Sequence, residues 1–359
     1  MKNKAILIIG DRKVNRIKIN PSLVKFVKYA RRLKAKRGLE VEEINYKRLL
    51  YPCGHKSGEC PSIKASKILV VFFFPYTYWN RNIETYQDGR IYGDKKFGRA
   101  FRAFFKEVKR TIEKHYRDKK IEYLNAPQAS YLDRDKQTSK ALLRERNVPT
   151  PRTFSIKSFA EIEKLLNRGV KLYIKPRFGA LGKGITYIDK EGMISNFLFR
   201  KGRVISRPYD YDWRFAKIKH EDRCRFFNAL LECGVICEQA IEPALFKDKR
   251  FDFRIYVMFG RVVYLYAKSS PAASWVTNWS QGGEIDRKDK ILRTLPKEKI
   301  LLLKRLSRKA AAALGLNFAG IDIIFSKDFK DAYVLEGNAF PGYEKGFDLM
   351  KCLLKFVVR

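Results

Sequence analysis

The chain has 359 residues, 45% of them hydrophobic, which is enough for two or three domains with substantial cores and too much for a disordered chain. No apolar run approaches the roughly eighteen residues of a transmembrane helix. Lysine and arginine outnumber aspartate and glutamate by 76 to 38, which gives a net charge of +38. This charge favours an acidic macromolecule as partner, such as RNA, an anionic polymer or a membrane surface, although a basic proteome or a high growth temperature would also produce it.

The first residues and the cysteines bear on the cellular compartment. Met1–Lys4 is basic, but the apolar run Ala5–Gly10 that follows is too short for a signal peptide and predicts a first strand. The six cysteines show no regular disulfide spacing. We therefore expect a cytoplasmic protein.

The N-terminal third alternates strand and helix patterns. The order strand, helix, strand predicts a small parallel sheet, and its most continuous apolar run predicts a strand buried on both faces. A long helix follows, with phenylalanines along one face and basic residues on the other. The expected strands are Ala5–Ile9, Leu39–Ile44 and Lys67–Pro75, and the expected helices are Pro21–Lys36 and Phe97–Tyr116.

A lysine and a glycine-rich loop indicate a phosphate-binding segment. The apolar run Leu172–Pro176 contains Lys175, and a loop with three glycines separates it from a second strand, Ile185–Ile188. The loop glycines are Gly179, Gly182 and Gly184. Glycines let backbone N–H groups approach a phosphate, and a lysine adds a mobile positive charge. Because a strand follows the loop, it fits neither a Walker motif nor a Rossmann turn, and we predict a flexible β-hairpin flap over a nucleotide.

Two apolar runs near the C-terminus bring acids and an amide together. Gly320–Phe325 and Ala332–Leu335 predict buried strands joined by a polar turn. If these strands pair as a hairpin, Asp322, Glu336 and Asn338 meet at one edge of a sheet. An all-oxygen cluster suits Mg²⁺, which takes its other ligands from waters and substrate phosphates. The alternative is a surface hairpin whose acids are there by chance.

The chain between Leu124 and Gly342 resembles the ATP-grasp superfamily. The similarity is greatest to the branch with ribosomal-protein glutamate ligases, glutathione synthetases and spore-coat-associated YheC/YheD-type proteins. It begins with Asn125–Ala129, Arg134–Lys140 and Asn147–Pro151, which match the family's entry into its first nucleotide-binding helix. The resemblance implies an α/β (α+β) ATP-grasp fold with an N-terminal α/β pre-ATP-grasp domain. The expected domains are residues 1–124, a small ATP-grasp subdomain at 125–240 with the lysine strand and glycine-rich loop, and a C-terminal subdomain at 241–359 with the metal site.

The same resemblance assigns an ATP site. It makes Lys136 and Lys175 the two nucleotide-contacting lysines and Gly179–Gly184 the flexible loop, including Lys183. The adenine-binding hinge falls on an apolar strand that ends in acids. Its expected contacts are backbone groups of Gln239, Ala240 and Ile241, with Glu238 or Glu242 accepting hydrogen bonds from the amino group or the ribose.

The resemblance also assigns the residues near the reacting atoms. Arg254, in the Asp-x-Arg strand, would face an acyl-phosphate, Lys268 would touch the terminal phosphates, and Asn278 would lie near the substrate and γ-phosphate. The implied cofactors are ATP and Mg²⁺, with Mn²⁺ as an alternative ion, and the implied metal ligands are Asp322, Glu336 and Asn338. The chain departs from the family at Gln281, where relatives often carry a basic residue.

The implied reaction joins a carboxylate to an amine. The carboxylate attacks the γ-phosphate of ATP, and an amine then attacks the acyl-phosphate to form an amide, with release of ADP and phosphate. The substrates are left open between an amino acid, a peptide and a protein tail. The oligomeric state is also left open, although relatives are often dimers or tetramers. Two alternatives remain. One is an ATP-grasp protein acting in phosphotransfer or in assembly of a cell-surface or spore layer. The other is a basic binding module for nucleic acid or an anionic polymer with a vestigial ATP site.

Overall fold

Three sheets, one in each third of the chain, organise the protein. The computed structural model describes residues 3–13, 19–37, 39–50, 60–84, 91–132, 134–207, 213–277, 282–286, 289–342 and 346–358.

The first sheet is built from residues 4–123. Its elements are β1 (Lys4–Ile9), α1 (Pro21–Arg37), β2 (Glu40–Ile44), α2 (Tyr46–Leu50), β3 (Lys67–Phe72), α3 (Tyr76–Tyr78), a π-helical turn (Trp79–Ile83), α4 (Lys95–His115) and β4 (Lys120–Tyr123). All four strands are parallel in the order β2-β1-β3-β4, as strand–helix–strand alternation predicts.

The second sheet is antiparallel and carries the glycine-rich loop. Its region contains α5 (Pro127–Leu132), α6 (Lys136–Glu145), β5 (Thr153–Phe154), α7 (Phe159–Asn167), β6 (Leu172–Pro176), β7 (Thr186–Ile188), β8 (Met193–Ser195), β9 (Leu198–Arg200), β10 (Arg203–Ile205), β11 (Ala216–Ile218), a 3₁₀ turn (His220–Asp222), α8 (Arg223–Cys233) and β12 (Val235–Gln239). The strand order is β11-β8-β7-β6-β12-β5, and β9 and β10 form a separate hairpin. The glycine-rich loop therefore connects two paired strands, β6 and β7.

The third sheet carries the acidic residues. Its region contains β13 (Leu245–Phe246), β14 (Lys249–Met258), β15 (Arg261–Pro271), β16 (Glu284–Ile285), α9 (Lys290–Thr294), α10 (Lys297–Ala313), β17 (Phe318–Phe325), β18 (Ala332–Asn338) and α11 (Leu349–Val357). The strands run antiparallel in the order β16-β15-β14-β17-β18, and β13 pairs with β14.

The two faces of the third sheet differ because side chains alternate along a strand. On one face α10 packs against β14, β17 and β18. The residues on this face are fully buried and apolar, among them Phe253, Ile255, Ile321 and Ile323. The residues between them point to the other face and are charged, among them Asp252, Arg254 and Asp322. The alternation thus places the charges of three strands on one surface.

The first sheet meets the end of the acidic hairpin. Asn125 follows β4 and donates from Nδ2 to the carbonyl of Phe318 at 2.7 Å, while its Oδ1 accepts from the Phe318 amide at 2.9 Å. Phe74, just beyond β3, lies against Phe340, with ring centroids 5.6 Å apart. The carboxyl ends of two parallel strands, β3 and β4, are therefore next to the open end of the hairpin, where β17 begins and β18 ends.

The expected fold class is confirmed, and the differences concern element ends. Helix α4 begins at Lys95 because Asp94 caps it, accepting from the amides of Lys96 at 2.8 Å and Phe97 at 3.0 Å. Strand β3 ends at Phe72, before the predicted Pro75.

Two strands extend further than their sequence patterns predicted, and three site residues lie in these extensions. Lys268 is inside β15, and Glu336 and Asn338 are inside β18. The predicted domain boundaries at 124 and 240 each fall between the strands of two sheets and stay predictions.

Among the described residues, no helix combines the length and apolar character needed to cross a bilayer.

A close contact between α4 and the glycine-rich loop provides a test of this packing. A Cβ atom added to the buried Gly98 would lie 2.3 Å from the Phe178 ring. We expect Gly98→Ala to lower the free energy of unfolding by roughly 1–3 kcal/mol, although glycine to alanine usually stabilises a helix by about 1 kcal/mol. The measurement is urea unfolding, with Phe178→Leu and the double variant alongside. Recovery in the double variant supports the contact, and a more stable Gly98→Ala contradicts it.

Candidate active site

A cleft of about 1120 Å³, counted with the space open to solvent, lies between the second and third sheets. Most residues expected to bind ATP or metal line it: Lys136, Lys175, Gly179, Gly182, Lys183, Glu238, Gln239, Ile241, Lys268, Asp322 and Glu336. Gly184, Ala240, Glu242, Arg254 and Asn338 are not in its lining. Asn278 and Gln281 lie outside the described residues.

A buried carboxylate between two lysines forms the floor of the cleft. Lys175 on β6 and Glu238 on β12 are diagonal cross-strand neighbours, and their side chains pair at 2.7 Å. Lys140 on α6 approaches the other oxygen of Glu238 at 3.4 Å and donates to the carbonyl of Val334 on β18 at 3.3 Å. Lys140 therefore links the second sheet to the third, a role that sequence patterns did not indicate.

These charges perturb one another strongly. Burial alone would raise the pKa of Glu238, but Lys140 and Lys175 outweigh burial and hold that pKa at about 2. Burial lowers the pKa of Lys140, whereas Glu238 raises the pKa of Lys175 despite burial. Glu238 is thus ionised, and both of its carboxylate oxygens are paired with lysines. This pairing limits its expected role as a hydrogen-bond acceptor for adenine or ribose.

The first turn of α6 is fixed to the glycine-rich loop. Asp135 caps the helix by accepting from the Thr138 amide, and Arg177 binds the same carboxylate through two nitrogens, each at 2.7 Å. The Lys136 amide donates to the carbonyl of Arg177 at 3.1 Å. This clamp brings the Lys136 ammonium to the carbonyl of Gly179. Neither member of the clamp was among the predicted site residues.

Lys136 is buried in the cleft, and burial lowers its pKa to about 8 although Glu336 opposes the shift. This pKa is only slightly above neutral pH, so a further small decrease in the pKa would leave the side chain largely uncharged there. A phosphate placed beside it would stabilise the charged form.

The glycine-rich loop has the backbone geometry of an anion-binding turn. Leu181, Gly182 and Gly184 have φ values of 58°, 70° and 76°. Glycine adopts this left-handed region at little cost, and successive amides in such turns form concave sites for anions. The Gly182 carbonyl accepts from Asn196 Nδ2 at 2.7 Å, which fixes the turn from the side.

The hinge strand offers fewer backbone groups than expected. The amides of Gln239 and Ala240 donate to the carbonyls of Arg152 and Lys171, each at 2.8 Å. Of the three expected hinge residues, Ile241 is therefore the one whose N–H does not donate to a backbone carbonyl of another described segment. Glu242 is 61% exposed and pairs with Lys327 at 3.2 Å, so its side chain points away from the cleft.

The opposite wall of the cleft is a row of paired charges across the third sheet. Arg254, Asp322 and Glu336 occupy directly opposed positions on β14, β17 and β18. Arg254 binds Asp322 through Nε at 2.5 Å and NH2 at 2.8 Å. Lys268 lies 2.9 Å from Asp252 and 3.3 Å from Asp322. Antiparallel register therefore assembles this row from residues that are up to 84 positions apart in the sequence.

The pKa values of the two buried aspartates of this row are shifted in opposite directions. Burial would raise both pKa values, but Arg254 and Lys268 hold the pKa of Asp322 at about 2. The pKa of Asp252 is raised, because burial outweighs the attraction of Lys268 and the hydrogen bond from Thr277. Sequence patterns had placed Asp252 in a motif without assigning it a role in the site.

The comparisons with known proteins agree with this geometry. A family model described as YheC/D like ATP-grasp matches residues 132–351, which is more than half of the chain. The chain belongs to the YheC/D-like ATP-grasp family. The tetrahydromethanopterin:alpha-L-glutamate ligase of Methanosarcina acetivorans is 28% identical over 204 residues, covering 57% of this chain and 54% of that protein. The enzyme with the same name in Methanocaldococcus jannaschii is 26% identical over 223 residues, covering 62% of this chain and 64% of that protein.

The matches therefore span about half to two thirds of these curated relatives. A solved structure of the ATP-grasp ligase PsnB, complexed with a phosphomimetic variant of its minimal precursor, Mg and ADP, has a TM-score of 0.57 and 16% identity. It covers 100% of this chain and 99% of that chain, which establishes the same fold over the whole length.

The acidic end of this ATP-grasp cleft suits a hard cation. Glu336 is opposite Asp322, and Asn338 donates from Nδ2 to the Gly320 carbonyl at 3.1 Å, which leaves its amide oxygen for a ligand. Two carboxylates and an amide oxygen are the donors that Mg²⁺ takes. No cage of three His, Cys, Asp or Glu side chains occurs among the described residues. The donor set fits an ion that keeps waters and substrate phosphates as ligands, and its assignment stays a proposal.

A tryptophan that follows β15 also lies in the cleft of this YheC/D-like fold. Trp275 lines the cleft, packs on Tyr187 at 4.5 Å, and accepts at its carbonyl from the Tyr173 hydroxyl at 2.7 Å. Trp275 thus closes one end of the cleft by joining the second sheet to the segment after β15.

The Glu238 pair provides a stability test. Glu238→Gln leaves Lys140 and Lys175 buried without a counter-charge, so we expect a loss of roughly 3–5 kcal/mol in the free energy of unfolding at pH 7. Because the pKa of Glu238 is lowered on folding, this contribution is complete above its unfolded pKa and disappears as pH falls towards about 2. Urea unfolding between pH 3 and pH 7 measures both effects. The exposed Glu298→Gln serves as control, and an equal, pH-independent loss in both variants contradicts the assignment.

Proposed function

We propose that the protein is an ATP-dependent, ADP-forming carboxylate–amine ligase. The observation that carries this proposal is the arrangement of the cleft. The lysines and glycine-rich loop form one wall and the acidic hairpin the other, so cations for phosphates and oxygen ligands for a divalent ion line the same cleft. Relatives named as glutamate ligases support the activity.

In the first step, a carboxylate oxygen of the substrate attacks the γ-phosphorus of ATP, the bond from that phosphorus to the β–γ bridging oxygen breaks, and ADP leaves. Lys136, Lys175 and the amides of the glycine-rich loop surround the phosphates and neutralise their charge. Bound Mg²⁺ would supply further charge neutralisation, held by Asp322, Glu336 and Asn338.

In the second step, an amine nitrogen attacks the carbonyl carbon of the acyl-phosphate, phosphate leaves, and the nitrogen loses a proton. Arg254 and Lys268 lie beside Asp322 and would face the transferred phosphoryl group, and Asn278 is proposed to lie near it. For Arg254 to do so, one of its two bonds to Asp322 must be exchanged for a phosphate oxygen. The protein supplies position and electrostatics and needs no covalent nucleophile.

We place the reaction in the acid–amino-acid class, with an amino acid, a peptide or a protein tail as acceptor. The relatives named as glutamate ligases support an amino acid, and the PsnB complex with its precursor supports a peptide. The charge of +38 supports an acidic acceptor or partner, and four exposed cations of α10 form no ion pair with described residues. These are Lys304, Arg305, Arg308 and Lys309. Mn²⁺ is proposed as an alternative ion because it takes the same oxygen ligands.

A cytoplasmic location stays part of the proposal. An ATP-consuming ligase needs the cytoplasmic nucleotide pool, and the five described cysteines are free thiols. An oligomer also stays a proposal.

ADP release by the purified protein tests the ligase. We expect release from Mg-ATP only when a carboxylate and an amine are both present, with a product one water lighter than the two parents by mass spectrometry. Glu336→Ala should lower the rate roughly 10²-fold or more, because the carboxylate acts on charge in the transition state. Glu298→Ala on the exposed face of α10 is the matched control.

ATP binding without stimulated turnover in any amine pool would favour the phosphotransfer or layer-assembly alternative. Salt-sensitive binding of nucleic acid without ATP binding would favour the vestigial site.

The lowered pKa of Lys136 predicts a pH dependence of ATP binding. Lysine is charged below its pKa, so we expect the affinity for Mg-ATP to be constant below pH 8 and to fall by up to about tenfold per pH unit above it. Lys136→Arg should remove this dependence, because arginine stays charged throughout. Calorimetric titration from pH 6.5 to pH 9.5 measures the effect. The same decline in Lys136→Arg would assign the titration to another group.

A further inference from the structure

Lys183, in the glycine-rich loop, pairs with an acid from the N-terminal third of the chain. Its ammonium contacts the carboxylate of Glu84, which follows the π-helical turn, and the two side chains are only 1% and 11% exposed. The indole N–H of Trp79 donates to the same carboxylate. Glu84 is therefore held in place by its own segment and presents its charge to the loop.

Two aromatic rings also lie close to this lysine. The ammonium lies 5.0 Å from the centroid of Tyr92 and 5.9 Å from that of Trp213. Such rings attract a cation through their faces. Burial without a counter-charge would strongly disfavour the ammonium, and the carboxylate of Glu84 supplies such a charge in direct contact with it.

The neighbouring residues of the loop are bound by the same N-terminal segment. The Tyr92 hydroxyl accepts from the Ala180 amide at 3.2 Å, and the Phe178 amide donates to the Gly93 carbonyl at 3.2 Å. A Cβ atom at Gly93 would lie 2.8 Å from the Gly179 amide nitrogen, so the two backbones are in direct contact. The loop expected to be a flexible flap is thus docked at Phe178–Ala180 and Lys183 on Glu84, Tyr92 and Gly93.

We infer that Glu84 is a positioning residue. Through Lys183 it fixes the glycine-rich loop against the region of the first sheet, residues 4–123, which we call the N-terminal unit. In this way it orders the loop before a nucleotide binds. This inference rests on the proposed function, because it assumes that the cleft binds ATP. It reassigns Lys183 from a phosphate ligand to the anchor of the loop. It also makes the order of the nucleotide site depend on the N-terminal unit.

The two roles of Lys183 predict opposite effects of Glu84→Gln. If Lys183 binds phosphate directly, the loss of its competing carboxylate should tighten ATP binding. If Glu84 positions the loop, binding should weaken, because the loop must now be ordered at the moment of binding. We expect the dissociation constant for Mg-ATP to rise roughly tenfold, with a smaller change in kcat, since the lost interaction precedes the chemical step.

Hydrogen–deuterium exchange of the loop, without nucleotide, is the second readout. We expect Glu84→Gln and Lys183→Met each to raise exchange at residues 178–184, and the double variant to exchange no faster than either single variant, because both remove one interaction. Tyr92→Phe keeps the ring and all charges, and should raise exchange at Ala180 in particular. Glu107→Gln, an exposed acid on α4, is the charge-matched control, and circular dichroism verifies that each variant is folded.

Faster loop exchange together with weaker ATP binding in Glu84→Gln supports the inference. Tighter ATP binding, or unchanged exchange in both Glu84→Gln and Tyr92→Phe, overturns it. If the wild-type protein binds no ATP, the proposed function fails. The hydrogen–deuterium exchange measurement then still decides whether Glu84 and Tyr92 order the loop.

Discussion

The structure depends on one buried carboxylate, Glu238, which two lysines hold between the second and third sheets. Lys175 joins it across β6 and β12, and Lys140 joins it from α6 while also binding a carbonyl of β18. A buried charge that loses a partner is costly, so neither lysine can move far from Glu238. Through Lys140 this requirement ties the lysine wall to β18, the strand that carries Glu336.

The acidic wall follows from register. The pairings of β14 with β15, β14 with β17 and β17 with β18 each place charged residues directly opposite one another, and apolar residues between them are buried under α10. Asp322 lies in the middle of this row, between Arg254 and Glu336. Its charge is balanced by Arg254 and Lys268, so the wall is electrostatically satisfied before any substrate enters. Binding of phosphate would then exchange partners within an existing network, which requires little reorganisation.

The N-terminal unit contributes to the same cleft. Its parallel sheet ends against the open end of the acidic hairpin, where Asn125 bonds Phe318 and Phe74 packs on Phe340, and its Glu84 and Tyr92 contact the glycine-rich loop. The buried pair of Glu84 and Lys183 can make the order of the loop depend on that unit, because a buried ion pair is either formed or broken.

The sequence by itself determined the fold class, the parallel order of the first strands, the apolar face of α4 and the family, because these depend on local periodicity and on short motifs. It also indicated the lysine strand, the glycine-rich loop and the acidic hairpin. Only the tertiary structure revealed Lys140, the Asp135–Arg177 clamp and the pairing of Glu84 with Lys183. Their partners lie 98, 42 and 99 positions apart and carry no local signal. Tertiary structure also decided that Glu242 faces solvent and that the amides of Gln239 and Ala240 donate to backbone carbonyls. The partners of these groups come from other segments of the chain, so local sequence does not indicate where the groups point.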